Sequence, residues 1–297
     1  MSRKVNNRFV NICSDPALPS PVPVIRQYLT NLAYKPPTMK VAVENYQLLQ
    51  NNQFAWLGHS SVLLKVGGKT VLIDPVFHSF PGTKRFPQDN QIKINVKIDY
   101  LLITHNHRDH MCMKTLRELK GRVGRVIVPL QNYKYIKYIF PKHMVTEMDW
   151  YQEINENRVK IQLLPARHQS NRFADQNKAL WGSYCVNDDI YFSGDNCYCK
   201  KTMDQITARI KPKYCFLECG QYSKYWPDSH STPKQCVEMF KYLQGQVLIP
   251  IHFGRFRLAF HEYNDPVIQL QNEKDVFVGQ IGKIYPLGQT GIEQLWL

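Results

Sequence analysis

Short apolar runs, separated by polar or glycine-containing turns, set the pattern of the chain from Phe54 onward. FAWLG, SVLLKV and TVLID are rich in apolar and β-branched residues, with Gly58 breaking the first pair and Gly67-Gly68 the second. This punctuation predicts consecutive strands and a hairpin. A linker over about 78–97 follows, then DYLLITH, a buried-type strand that stops at His105. Beyond it the period changes. MKTLRELK has helical spacing, GRVIVPL reads as a strand, NYKYIKYIF as a helix and VKIQLLPAR as a strand. ALWGSYCV and DIYFSGD form a strand pair around Asn187-Asp188. Residues 202–210 read as a helix, YCFLE as a strand, TPKQCVEMFKYL as a helix, GQVLIPIH as a strand and 262–274 as a last helix. Antiparallel strands that give way to alternating strands and helices predict an α/β body with helices covering sheet faces.

The first 50 residues differ. Residues 13–40 carry Pro16, Pro19, Pro21, Pro23, Pro36 and Pro37 and read as an extended arm. Within it Ile25, Tyr28, Leu29 and Leu32 recur at helical spacing. Such stripes usually face a core, so the arm (1–50) is expected to carry a short amphipathic helix packed on the body (51–297). Contact of the same stripe with a membrane is the alternative.

The chain has 297 residues, of which 43% are hydrophobic and 21% charged. Ordinary globular usage at this length excludes a disulfide-stapled mini-fold, a collagen-like fibre and wholesale disorder. No apolar run reaches the ~18 residues that span a bilayer. The basic start MSRKVNNRFVN has no apolar stretch of a secretory signal behind it. Eight cysteines, none in a C-x-x-C pair, read as free thiols in a reducing, cytoplasmic setting. A net charge of +14 suits anionic partners, although charge alone selects none.

Polar residues concentrate at strand ends. THNHRDHM places His105, His107, Asp109 and His110 in six residues after an apolar strand. Imidazole and carboxylate together suit zinc and similar divalent ions. His168 after QLLPAR, Asp195 in SGD and His252 after VLIPI each stand at the end of a further apolar strand. Strand ends on one sheet edge converge, and ligand sites of α/β folds gather there. Five histidines and two aspartates suffice for two metals if one carboxylate bridges.

THNHRDHM resembles the H-x-H-x-D-H signature of the metallo-β-lactamase superfamily. The resemblance implies a four-layer αβ/βα sandwich with two Zn2+ (or other divalent transition metals) on its rim. His105, His107 and His168 would hold one ion, Asp109, His110 and His252 the other, with Asp195 between them. In order, WLGHSSVLL, DPVF, GTKRF, LWGSY, GDNCYC and IHFGRFRLAFHEYNDPV resemble the branch of N-acylphosphatidylethanolamine-hydrolysing phospholipases D. The chain departs from that branch at Arg108, Cys197 and LECGQY, which brings Glu218 and Gln221 near the expected site.

The resemblance implies a phosphodiester hydrolase of the phospholipase D type, acting on N-acyl-phosphatidylethanolamine or related glycerophospholipids through a hydroxide shared by two metals. Asp109 would hold or deprotonate the attacking water. His230 would stabilise phosphate or protonate the leaving oxygen, and Arg108 would clamp phosphate. His59 is expected either to touch substrate or to serve its turn alone. Asp74 is expected to orient a ligand histidine. Ser231 or Thr232 would cap the following helix. Arg172 and Arg255 read by default as solvated loop residues, and His78, His143 and His261 as bland. The partner is then a phospholipid, with peripheral membrane contact. A nuclease is less favoured because no dedicated basic run is present; a lactonase or other ester hydrolase, and a non-catalytic lipid- or metal-binding scaffold, remain alternatives.

Overall fold

The computed structural model describes residues 1–16, 20–34, 39–80, 83 and 92–295. The expected linker is therefore described only at its two ends and at residue 83. An N-terminal ribbon pairs β1 (Arg3–Val5) with β2 (Arg8–Val10). Helix α1 (Pro21–Ala33) follows, with Pro21 and Pro23 in its first turn.

The first sheet contains β3 (Gln53–Trp56), β4 (Val62–Val66), β5 (Lys69–Ile73), β6 (Ile98–Leu102), β7 (Val123–Pro129) and β8 (Val145–Met148). The second contains β9 (Glu153–Glu156), β10 (Val159–Leu164), β11 (Ser183–Val186), β12 (Ile190–Phe192), β13 (Tyr214–Glu218) and β14 (Val247–Ile251). Near the C-terminus β15 (Phe277–Val278) pairs with β17 (Gly291–Ile292), while β16 (Ile284–Pro286) returns to the first sheet beside β3. The expected switch is present in both sheets. β3, β4 and β5 are antiparallel, then β5 to β8 are parallel. Likewise β9 to β12 are antiparallel, and β12, β13 and β14 parallel.

Parallel neighbours need crossovers, and these supply the helices. α2 (Met113–Leu119) joins β6 to β7, and α3 (Tyr133–Ile136) joins β7 to β8. α4 (Lys200–Thr207) and α5 (Pro233–Leu243) join the parallel strands of the second sheet, and α6 (Asp265–Leu270) follows β14. Thr232, not Ser231, caps α5, in a reciprocal capping box with Gln235. The helix expected over NYKYIKYIF shrinks to the single turn of α3, because Ile136 alone of that turn is buried and little apolar surface holds the rest.

The inner faces of the two sheets share one core. Phe54 of β3 meets Phe216 of β13 edge-to-face at 5.1 Å, and the Tyr184 hydroxyl of β11 donates to the Ile103 and Ile127 carbonyls of the opposite sheet. Apolar strands buried on both sides explain the near-continuous apolar runs of the sequence.

The arm reaches the core through Phe9, Met39, Tyr46 and Leu49, not through Ile25 or Leu29 of the expected stripe, which are 58% and 59% exposed. The side chains of Tyr28 and Leu32 lie outside the described ones. α1 is fastened at its C-terminal end, where the Tyr34 hydroxyl donates to Glu262 and the Arg257 guanidinium lies 3.9 Å from the Tyr34 ring centre. This polar clasp holds the helix end, and Ile25 and Leu29 stay exposed.

Candidate metal centre

The expected ligand set sits on the segments that leave the C-terminal ends of strands. Asp74 directly follows β5, and His105 lies three residues past β6. His168 follows β10, Asp195 follows β12, Glu218 ends β13 and His252 directly follows β14. Two close approaches bring the strand ends together. Gly194 has φ +56°, and a Cβ there would stand 2.9 Å from Thr104, so only glycine lets Asp195 come up beside His105. A Cβ at Gly220 would stand 2.2 Å from the His252 carbonyl oxygen. Across the rim the His59 amide donates to the Phe253 carbonyl and the His252 amide to the His59 carbonyl. Asp74, His59 and His252 all have left-handed backbones (φ 42°, 54° and 70°).

The structure gathers the distant residues into three groups whose donor atoms lie within 4.8 Å of one another: His105, His107, His168 and Asp195; His59, Asp109, His110 and His252; and Asp195, Glu218, His230 and His252. Asp195 touches all three. One oxygen stands 3.0 Å from His110 Nε2 and 3.1 Å from His252 Nε2, the other 3.4 Å from His168 Nε2 and 3.7 Å from His105 Nε2. Both Asp195 oxygens and His105 Nε2 are buried without a directed hydrogen bond. Buried groups of this polarity are costly unless paired or bound to a metal. His107 Nδ1 approaches His168 Nε2 at 3.2 Å, and His110 Nε2 approaches His252 Nε2 at 3.3 Å. Such spacings match the edge of a tetrahedral zinc site with bonds of about 2.0–2.1 Å. The residues therefore fit a pair of divalent cations.

Electrostatics divide the rings: although burial opposes its charge, Asp195, Asp109 and Asp74 hold His110 well above its ordinary value, whereas His59, His105, His107 and His168 are lowered. Burial pushes His59 down to about 3 and His107 down to about 4, and with neighbouring imidazoles it holds His105 and His168 well below the ordinary range. These rings stay neutral and keep a lone pair to offer. Burial works against the charge on Asp109 and Asp195, yet the surrounding imidazoles hold both carboxyls well below the ordinary value.

The supporting shell follows the same logic. Asp74 accepts from the Thr104 amide at 2.8 Å and the Thr104 hydroxyl at 2.6 Å, and stands 2.8 Å from His110 Nδ1, which leaves Nε2 for the site. The His59 side chain has no exposed face. It is fully buried, with Nε2 2.9 Å from Asp109 and its ring against His252 and Phe256. Packing on all sides leaves it no face for substrate, and it braces Asp109. Arg108 is exposed and lies over the ring of Phe173, 5.5 Å from its centre.

Arg172 and Arg255, expected to be solvated, are buried. Arg172 Nη1 donates to the Asn106 and Met111 carbonyls at 2.8 and 3.0 Å, clamping both ends of the ligand loop. Unfilled main-chain acceptors in a tight loop draw the guanidinium inward. His261 stacks on Tyr222 and accepts from the Gln221 amide, whereas His78 pairs with Glu118 at the surface.

His230 enters the site from the loop before α5. Its Nδ1 stands 3.1 Å from Glu218, and its ring stacks on His252 at 5.0 Å. Although burial opposes it, the Glu218 carboxylate raises the His230 pKa. Sequence reasoning placed Glu218 near the site without a role. Its position as the last residue of an apolar strand, where ligands also occur, was the available signal. A cavity of about 210 Å³ opens beside His107, His168 and His230, with Trp226, Leu258 and Val24 of α1 as apolar walls.

Comparison with known proteins fits this geometry. The family model described as a beta-lactamase superfamily domain matches residues 69–253, more than half of the chain. An uncharacterized protein of Mycobacterium tuberculosis is 33% identical over 73% of this chain and 62% of its own length. The N-acyl-phosphatidylethanolamine-hydrolyzing phospholipase D 1 of Caenorhabditis elegans is 29% identical over 70% of this chain and 65% of its own length. The chain thus spans less than two thirds of these curated relatives. A metallo hydrolase from Ignicoccus hospitalis shares the fold with a TM-score of 0.61, at 20% identity over 80% of this chain and 99% of its own. A paired-sheet α/β architecture, a histidine-aspartate cluster on its rim and the matched family model together mean that this chain belongs to the metallo-β-lactamase superfamily.

Proposed function

We propose that this protein is a metal-dependent hydrolase of phosphodiesters that uses two zinc ions and cleaves N-acyl-phosphatidylethanolamine or a related glycerophospholipid in the manner of a phospholipase D. One observation carries the reading: Asp195 of one histidine-aspartate group also reaches His110 and His252 of the other, beside an apolar cavity that presents His230. Bound zinc supplies a lowered water pKa, near ~7, and neutralises charge that builds on phosphate oxygens.

The protein's own groups do the rest. Asp109, braced by His59, holds the attacking water and accepts its proton. His230 keeps Nδ1 on Glu218, so Nε2 is the nitrogen available to protonate the leaving alkoxide. Attack at phosphorus then releases phosphatidic acid and an N-acylethanolamine, the elements of water being divided between them. Trp226, Leu258 and Val24 receive apolar substrate near the phosphate. At about 210 Å³ the cavity is smaller than the ~300–1,000 Å³ of sites that engulf drug-sized ligands. A diacyl lipid must leave its chains outside, beside the exposed Val22, Ile25 and Leu29 of α1. That geometry and the net charge of +14 favour a substrate presented at an anionic membrane surface. Among the described residues no helix is long and apolar enough to cross a membrane.

The test is a substrate panel run on zinc-loaded protein: N-acyl-phosphatidylethanolamine vesicles, bis-aryl phosphate, RNA and a lactone. Hydrolysis of the lipid and the aryl phosphodiester is expected, abolished by His107→Ala and Asp195→Asn, with His230→Ala losing turnover while retaining metal. Hydrolysis of RNA or lactone without lipid would overturn the substrate. Inactivity towards all four at full metal loading would leave a scaffold.

A further inference from the structure

Of the eight cysteines, six are buried, and the two that are not, Cys13 and Cys199, lie together. Cys13 follows β2 on the arm, and Cys199 is the N-cap of α4, four residues after Asp195. Cys13 Sγ lies 3.6 Å from the Thr202 hydroxyl, in the first turn of the helix that Cys199 caps, so the two thiols are neighbours. A single guanidinium fixes both backbones: Arg167 donates to the Ser14 carbonyl and hydroxyl at 3.4 and 3.3 Å and reaches the Tyr198 carbonyl at 3.5 Å.

The two sulfurs differ in character. Burial, with the Cys199 sulfur beside it, pushes Cys13 up to about 11. Burial also opposes a thiolate at Cys199, but the Cys13 thiol and the backbone amides of Thr202 and Lys201 draw it below its ordinary value. One sulfur is thus prepared to attack and its neighbour to resolve. Cys197 has no such role. It is fully buried, pushed up to about 12, and its thiol points at the Pro227 carbonyl.

We propose that Cys13 and Cys199 are a redox modification site, which peroxide converts to a disulfide that staples the N-terminal arm beside the metal centre. The Cys199 thiolate attacks one oxygen of hydrogen peroxide; the O–O bond breaks, and the departing hydroxide takes up a proton as water. Cys199 is left as a sulfenic acid. The Cys13 sulfur then attacks the Cys199 sulfur, the S–O bond breaks, and hydroxide leaves with the Cys13 proton as a second water. Two thiols and one peroxide give one disulfide and two waters. The staple bears on the site because Asn11, two residues before Cys13, donates to the His168 carbonyl at 2.8 Å and accepts from the His168 amide at 3.1 Å.

The experiment treats zinc-loaded full-length protein with hydrogen peroxide, alkylates free thiols and maps peptides by mass spectrometry. Expected are the loss of two alkylatable thiols, a mass lower by two hydrogens, a Cys13–Cys199 cross-linked peptide and full reversal by dithiothreitol. Cys13→Ser should halt at a Cys199 sulfenic acid that dimedone traps, and Cys199→Ser should give no cross-link. If either variant fails to fold, the cross-link map of the unmodified protein decides. Cysteines 13 and 199 still alkylatable after oxidation, or a cross-link that joins other cysteines, would overturn the proposal.

Discussion

Replacing Asp74 with asparagine changes almost no volume and leaves the fold's strands untouched, so its effect isolates one piece of physics. The carboxylate takes the Thr104 amide on one oxygen, and the Thr104 hydroxyl and His110 Nδ1 on the other. An amide keeps one oxygen, which stays with the Thr104 amide, and presents N–H where the second oxygen stood. His110 Nδ1 then meets a donor, and the imidazole must move its proton to Nε2, the nitrogen that faces Asp195 and His252. The site loses one lone pair while its geometry stays. Loss of a hydrogen bond to a charged group is worth about 1.5–3 kcal/mol, equivalent to about 10–100-fold in affinity. In the proposed two-metal site, the loss should fall on the position of Asp109, His110 and His252 and leave the position of His105, His107 and His168 loaded. Metal content by emission spectrometry after dialysis should therefore drop from about two equivalents to about one, and chelator competition should give the affinity ratio. Retention of both equivalents within about threefold of wild-type affinity would refute the tautomer argument.

Other perturbations probe other layers. Arg172→Met removes two buried hydrogen bonds to the Asn106 and Met111 carbonyls, and should destabilise the metal-free protein by about 2–4 kcal/mol in urea unfolding after relief of guanidinium burial; a change under about 0.5 kcal/mol would show the clamp to be idle. His59 and His107 are held neutral, with folded pKa values of about 3 and about 4. The unfolded chain therefore binds more protons below its own pKa of about 6.5, and stability rises with pH there. The metal-free protein should lose about 1.4 kcal/mol per pH unit for each such histidine as pH falls from about 6.5 towards 4, so equal urea midpoints at pH 7 and pH 5 would contradict it. Ile25→Glu with Leu29→Glu should weaken co-sedimentation with anionic vesicles at least about tenfold, since each apolar side chain removed from water is worth about 1.5–3 kcal/mol, and should leave bis-aryl phosphate turnover unchanged. Unaltered vesicle binding would remove α1 from the membrane contact.

Much of the fold and of the candidate site can be read from the chain because both rest on local pattern. Strands buried on two faces must be apolar throughout, and a ligand must stand where such a strand stops, so THNHRDHM, SGD and VLIPIH mark positions before any coordinate is known. The roles of residues outside that pattern depend on what lies opposite them, and sequence spacing carries no such information. His59 and Asp109 are 50 residues apart and bonded; Glu218 has a role only because the loop before α5 brings His230 to it. Arg172 reads as a solvated loop cation until the loop it clamps is seen to turn two carbonyls towards it. Cys13 and Cys199 look like any two of eight thiols until the arm folds back across Arg167. The α1 stripe has helical periodicity in either case; only the tertiary packing decides that a polar clasp at Tyr34 holds the helix and leaves Ile25 and Leu29 to solvent. Periodicity is a property of neighbouring residues, and pairing across a core is a property of the closed chain.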